Sequence, residues 1–274
     1  MTTLYRGMDK AALDAAYNNS LAVKNSADLM ADFGLRSIRA RALPGVVLGL
    51  RYGPAGRNLI DYFPATRPGP LLIFIHGGYW QMRAKESFSY IAKAMLPHGL
   101  HVALVGYTLA PDATLGGIVQ EVKNAITYLK ANAADNGGDP SRMVVSGWSA
   151  GGHLTAMCLD EPGVVGGLAI SGIYDLEPMR LSYINDKLGL AAEDVPRLSP
   201  LQRPMSDKPL VVAFGEEELP ELQRQSIEFF NLRQAQGKPG SLLPLAGLNH
   251  FTVLEELGNP DGRLIAAARE LAGV

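Results

Sequence analysis

The run MVVSGWSAGG at residues 143–152 decides the fold. Met143, Val144 and Val145 form an uninterrupted apolar stretch, the pattern of a short strand buried on both faces. Gly147-Trp148-Ser149-Ala150-Gly151 comes next, and GGHLTAMCL (151–159) then has helical spacing. A strand that enters a helix through Gly-x-Ser-x-Gly turns too tightly for side chains on either side of the serine. The serine hydroxyl is held out at a helix N-terminus, which is how a nucleophile elbow is built. The five-residue pattern alone arises by chance in roughly one such chain in six, so its place between strand and helix carries the inference.

Outward from this run the same rhythm continues. Upstream are LLIFI (71–75), FSYIAKAML (88–96), HVALVGY (101–107) and IVQEVKNAITYLKANA (118–133). Downstream are VVGGLAIS (164–171), PLVVAFG (209–215), LQRQSIEFFNLRQAQ (222–236), SLLPLAG (241–247) and two closing helical stretches. Apolar runs alternating with helical ones predict an α/β protein with a doubly wound, mostly parallel sheet and flanking helices. Before it, VVLGLRY (46–52) and NLIDYF (58–63) alternate like hairpin strands joined by the turn-forming GPAGR. MDKAALDAAYNN and SADLMADFGLRSIRARAL predict an N-terminal helical segment over about residues 1–43, with Ser26 as a cap. The excursion at about 173–208, between two strands, predicts a small helical cap over the carboxyl edge of the sheet, where such folds bind ligands. With no repeat, low-complexity tract or linker, residues 1–274 read as one domain.

Composition narrows the partners. Hydrophobic residues make up 47% and charged residues 19%, ample for a sizeable core. A formal net charge of −2 without a Lys/Arg-rich run argues against nucleic acid. The start lacks a basic-then-apolar layout, and no apolar run approaches the roughly 20 residues of a membrane span. The expectation is a cytoplasmic protein that does not engage a membrane. Cys158, the sole cysteine, excludes an intramolecular disulfide and a thiolate metal cluster, and its apolar helical setting predicts packing.

The second chemical feature is LLIFIHGGYW (71–80), a buried strand running into His76-Gly77-Gly78-Tyr79-Trp80. Acyl transfer builds negative charge on a carbonyl oxygen, and preorganised backbone N–H groups stabilise it. Gly77, Gly78, Tyr79 and the N–H of Ala150 are the expected oxyanion donors. His76 is read as shaping that loop, and Trp80 as a pocket wall or core residue; Trp148 is the second pocket candidate. A serine hydroxyl needs a base, and the base an orienting acid. Of His76, His98, His101, His153 and His250, only His250 lies in a loop after a late strand, so it is the expected base. Glu216, Glu217 and Glu218 follow the strand LVVAFG, and spacing alone leaves the choice among them open; Asp175 and Asp194 are the runners-up.

HGGYW, GGDPSRMVVSGWSAGGHL, SGIYDLEPM, RLSP, FGEEELPELQRQS and LNHF, with YRGMDKAALDAAYNN before them, resemble in order the kynurenine formamidase (arylformamidase) branch of the hormone-sensitive-lipase-like α/β hydrolases. The resemblance covers nearly the whole chain. It implies the α/β-hydrolase fold and a triad acid three residues after Gly215, which is Glu218, where the family usually has Asp. It also implies a small ester or aryl formamide substrate such as N-formylkynurenine, cleaved through an acyl-enzyme with no metal or organic cofactor. A homodimer is compatible with the family. A general short-acyl carboxylesterase is the alternative function, and a non-catalytic binding protein on the same scaffold is the reading from another class.

Overall fold

The structure, a computed structural model, describes residues 3–274. The first two residues of the segment expected at about 1–43 lie outside the described residues. In chain order the elements are α1 (Lys10–Ala16), α2 (Asn19–Ala22), α3 (Ser26–Arg41), β1 (Val47–Arg51), β2 (Leu59–Phe63), β3 (Gly69–Ile75), α4 (Tyr90–Met95), β4 (His101–Val105), α5 (Leu115–Asn132) and β5 (Gly138–Trp148). Then come α6 (Ala150–Met157), β6 (Val164–Ile170), α7 (Glu177–Leu181), α8 (Asn185–Leu188), α9 (Asp194–Leu198), β7 (Leu210–Gly215), α10 (Pro220–Ala235), β8 (Gly240–Leu245), α11 (Glu255–Gly258) and α12 (Arg263–Ala272).

The eight strands form one sheet in the order β1-β2-β4-β3-β5-β6-β7-β8. β1, β2 and β4 pair antiparallel, and every pair from β4 to β8 is parallel. The hairpin, the parallel sheet and its alternating helices match what the apolar runs predict. Burial explains why β3 and β4 carry no polar alternation, since all their residues are buried. Leu71, Ile73 and Ile75 face one apolar cluster, while Leu72 and Phe74 face the other. A sheet sealed on both sides needs apolar side chains on both sides.

The chain winds from β3 outward to β4, then returns across β3 to β5 and continues the other way. That reversal is a topological switch point, where loops leaving two adjacent strand ends diverge and open a crevice. Ile75 pairs with Gly147 there, so the loop after β3 and the turn after β5 emerge side by side.

The N-terminal segment differs in detail from expectation. It is three helices, and Ser26 is the first residue of α3, with Asn25 at the cap position and no side-chain cap bond. Ser26 turns its hydroxyl back to the Ser20 carbonyl (3.2 Å) instead. Asp9 and Asn18 are the real caps, accepting from Ala12 N and Leu21 N. The segment is tied across the molecule to the excursion and to α10: Tyr5 donates to Asp175 (2.7 Å), Tyr17 donates to Glu221 (3.1 Å), and Asp14 accepts from Tyr183 N (2.8 Å). The excursion itself folds as α7, α8 and α9 with a short 3₁₀ turn at Pro200–Gln202.

Candidate active site

Ser149 stands between β5 and α6 with φ 58° and ψ −117°, a conformation that side-chain-bearing residues rarely adopt. The glycines explain how the turn closes. A Cβ on Gly151 would lie 2.0 Å from the Ile75 carbonyl oxygen, and one on Gly147 would lie 2.3 Å from that of Gly151. Helix α6 therefore sits directly against β3, which is the close approach that the pattern at 147–151 predicts.

His250 reaches the serine from the loop after β8. Its Nε2 accepts from Ser149 Oγ at 3.1 Å, and its Nδ1 faces Glu218 Oε2 at 2.9 Å. With a carboxylate against Nδ1, the proton resides there and Nε2 is the free base, the tautomer a hydroxyl nucleophile needs. The loop is held by local bonds. Asn249 Oδ1 accepts from the N–H groups of Phe251 and Thr252, and the Thr252 hydroxyl accepts from Asn249 N. Trp148 donates its indole N–H to the His250 carbonyl (2.8 Å), and its ring lies 4.9 Å from the imidazole.

Of the three adjacent glutamates, the structure brings Glu218 to His250 and leaves Glu216 and Glu217 exposed. The turn Gly215–Glu218 closes on itself: Glu218 N donates to the Gly215 carbonyl, and Glu218 Oε1 accepts from Gly215 N at 2.7 Å. Oε1 also accepts from Ser171 Oγ at 2.5 Å. Ser171, just past β6 with φ 52°, is a residue that sequence reasoning missed; SGIYDLEPM contains it, but no local pattern marks its partner. Asp175 and Asp194 lie elsewhere in the network, Asp175 accepting from Tyr5 and Asp194 bonding Ala191 N and Arg197.

The loop after β3 crosses the face of the elbow. A Cβ on Gly77 would lie 2.6 Å from the Trp148 carbonyl and 3.0 Å from Ser149 Cβ, so this backbone lies against the serine. Gly78 (φ 111°), Tyr79 (φ 48°) and Trp80 (φ 57°) all occupy the left-handed half of backbone space. Among the described residues, the N–H groups of Gly78, Tyr79 and Ala150 have no protein acceptor. Ala150 N is at the N-terminus of α6 and the other two are in the loop after β3, and unpaired N–H groups beside a serine are disposed to take an anionic oxygen. Tyr79 is anchored by its hydroxyl, which donates to the Tyr17 carbonyl (2.6 Å) and accepts from Asn19 Nδ2 (3.0 Å).

Two of the other histidines are held neutral by burial. Burial pushes both His76 and His153 down to about 4. His76 stacks on Tyr107 at 4.3 Å and bonds Gly77 O through Nδ1 (2.8 Å), which fits its expected part in shaping the loop. His153 donates to the Leu198 carbonyl (2.8 Å), linking α6 to α9.

A small cavity of about 60 Å³ opens beside Ser149 and His250. Trp148 lines it, as expected, along with Tyr79, Tyr183 and Phe251. Trp80 does not: it is fully buried in the core, edge-on to His153 at 5.0 Å. Of the two readings of Trp80, pocket wall or core residue, the structure gives the core one, and its expected place in the substrate pocket is corrected. Asn18, Asn19, Ser20, Met82 and Arg83 also line the cavity and were not anticipated, because they come from distant segments with no shared motif. Cys158 is buried, and its thiol pKa is pushed up to about 12. No helix among the described residues is long and apolar enough to cross a membrane.

Comparison with known proteins gives three results. The BD-FAE family pattern matches residues 62–160. Kynurenine formamidase of Salmo salar is 31% identical over 253 residues, 86% of this chain and 85% of that protein, and that of Danio rerio is 30% identical over 80% and 79%. Esterase LipQ of Mycobacterium tuberculosis is 37% identical over 113 residues, 39% of this chain and 27% of that protein. Among solved structures, a candidate thioesterase of Silicibacter sp. superposes with TM-score 0.82 at 29% identity, over 93% of this chain and 97% of that one. Esterase B of Lactobacillus rhamnosis superposes with TM-score 0.73 at 18% identity, over 97% of each chain, which shows the shared fold.

Proposed function

Since the chain belongs to the kynurenine formamidase family of α/β hydrolases, we propose that it cleaves a small aryl formamide of the N-formylkynurenine type through a formyl-enzyme. The observation that carries this reading is the unbroken hydrogen-bonded relay from Ser149 through His250 to Glu218 at the edge of the cavity.

In this mechanism Ser149 Oγ attacks the formyl carbon while His250 Nε2 takes its proton. Negative charge on the carbonyl oxygen meets the N–H groups of Gly78, Tyr79 and Ala150, with Gly77 shaping the approach. His250 then gives its proton to the departing aryl nitrogen. Water, deprotonated by the same imidazole, attacks the formyl-enzyme; formate leaves and Ser149 is restored. The Glu218 side chain, against Nδ1, stabilises the transient imidazolium. Residues of the chain supply every step.

Formyl is the smallest acyl group, with hydrogen as its only substituent, so turnover restricted to the shortest acyl groups is what separates a formamidase from a general esterase. Kinetics on N-formyl-L-kynurenine beside 4-nitrophenyl esters of rising acyl length test the reading. The expected result is formamide turnover with ester turnover falling steeply beyond acetyl. Ester turnover without formamide turnover would favour the short-acyl carboxylesterase, a reading that the partial match to esterase LipQ supports. We read the protein as a one-domain cytoplasmic enzyme whose partner is its small-molecule substrate, with residues 173–208 as a cap.

A further inference from the structure

The wall of the catalytic cavity holds one arginine, Arg83, and no lysine. It follows the oxyanion loop, with φ 75°. Its guanidinium carbon lies 5.6 Å from the centroid of Trp148 and 5.7 Å from that of Phe251, rings that also line the cavity and flank His250. The charge is thus fixed within one side chain's breadth of the reacting groups.

Other sequestered arginines of the chain have partners. Arg41 pairs with Asp61, Arg36 with Glu255, and Arg224 with Glu221 and Glu228. Arg233 donates to three carbonyls and Arg57 to two. Among the described residues Arg83 has no carboxylate in ion-pair range, and its Nε is buried without an acceptor. Burial pulls its pKa down with no anion near enough to offset it. A half-buried, unpaired cation is costly to maintain. In a cavity built around a nucleophile, the missing counter-ion has an evident source, the substrate.

We propose that Arg83 is a specificity-determining residue that binds a carboxylate on the aryl leaving group, so that substrates bearing that carboxylate are preferred. The guanidinium, held 5.6 and 5.7 Å from the Trp148 and Phe251 ring centroids, carries a planar set of N–H donors suited to a two-point bond to a carboxylate. Binding places the anion at a set distance from Ser149, which orients the acyl carbon. The proposal rests on the reading of Ser149 as the nucleophile and narrows its substrate class.

The test uses matched substrates that differ only in a carboxylate: formanilide against the formamidobenzoates, and phenyl acetate against the acetoxybenzoates, taking the best of the three ring positions in each series. Wild type should favour the carboxylate member. Arg83→Met, which keeps the stem over the rings, should raise KM for that member by about tenfold or more while the neutral member moves by less than about threefold. Arg83→Lys should recover part of the loss. Equal losses on both members, or a wild-type preference for the neutral one, would overturn the proposal. If the variants fail to fold, inhibition of wild type by benzoate and benzamide decides: binding of benzoate about tenfold tighter supports it, and equal binding overturns it. An ester series that shows the effect while formamides are inert would sink the formamidase reading and leave Arg83 in its role; active formamides indifferent to Arg83 would do the reverse.

Discussion

Two carboxylates of this molecule are completely buried, Asp61 on β2 and Glu218 after β7, and they are served in opposite ways. Asp61 accepts from two permanent cations, Lys85 (2.8 Å) and Arg41, and from Gly49 N (2.9 Å). Glu218 accepts from a hydroxyl, a backbone N–H and a histidine, partners that are neutral at rest. A buried anion whose charge is already balanced can do nothing but hold its neighbours together. One that is solvated by dipoles alone has electrostatic attraction in reserve for a cation that forms later, which in the proposed mechanism is His250 after it accepts the serine proton.

The largest effect that bears on this contrast is Ser149→Ala, which removes the proton source: kcat should fall by about 10⁴-fold or more, and labelling by a fluorophosphonate should vanish. Next, Glu218→Gln should lower kcat by roughly 10⁴-fold, since an amide favours the wrong imidazole tautomer. Asp61→Asn should instead cost about 3–5 kcal/mol in urea unfolding, with kcat of the folded protein unchanged. If Asp61→Asn depressed kcat as deeply as Glu218→Gln, the distinction between the two carboxylates would dissolve.

Acid sharpens the picture further. His76 and His153 are held neutral down to about 4 when folded but take up protons near 6.5 when unfolded. The unfolded chain therefore binds more protons between those values, so stability is full above about pH 6.5 and is lost as pH falls toward 4, by about 3 kcal/mol for each histidine. Urea midpoints across that window should fall steeply in wild type and less steeply in His153→Gln. The smallest effect belongs to Ser171→Ala, where one hydrogen bond to Glu218 is lost; about a tenfold drop in kcat is expected, with KM unmoved. A drop in stability with kcat intact would make Ser171 a structural residue only.

The strands, the elbow and the base were legible because each is written in contiguous residues: an apolar run, glycines around a serine, a histidine past the last strand. The glutamate was half legible. Three sit side by side, and only the closure of Gly215–Glu218 on itself turns the third inward. Ser171, Asn19, Tyr183 and Arg83 were not legible, since each matters through a neighbour contributed by a remote part of the chain. Trp80, pocket wall or core on the sequence, is internal, and no contiguous pattern tells which way a loop side chain faces. Ser26 looked like a cap until a competing carbonyl, that of Ser20, claimed its hydroxyl.

The cavity takes its walls from Asn18–Ser20 at one end of the chain and from His250–Phe251 near the other. During synthesis Ser149 leaves the ribosome about a hundred residues ahead of His250, so over that interval the growing polypeptide carries the serine without its proposed base. Chemical competence by this route is therefore a property of the whole fold, and a fragment that stops short of residue 250 lacks it.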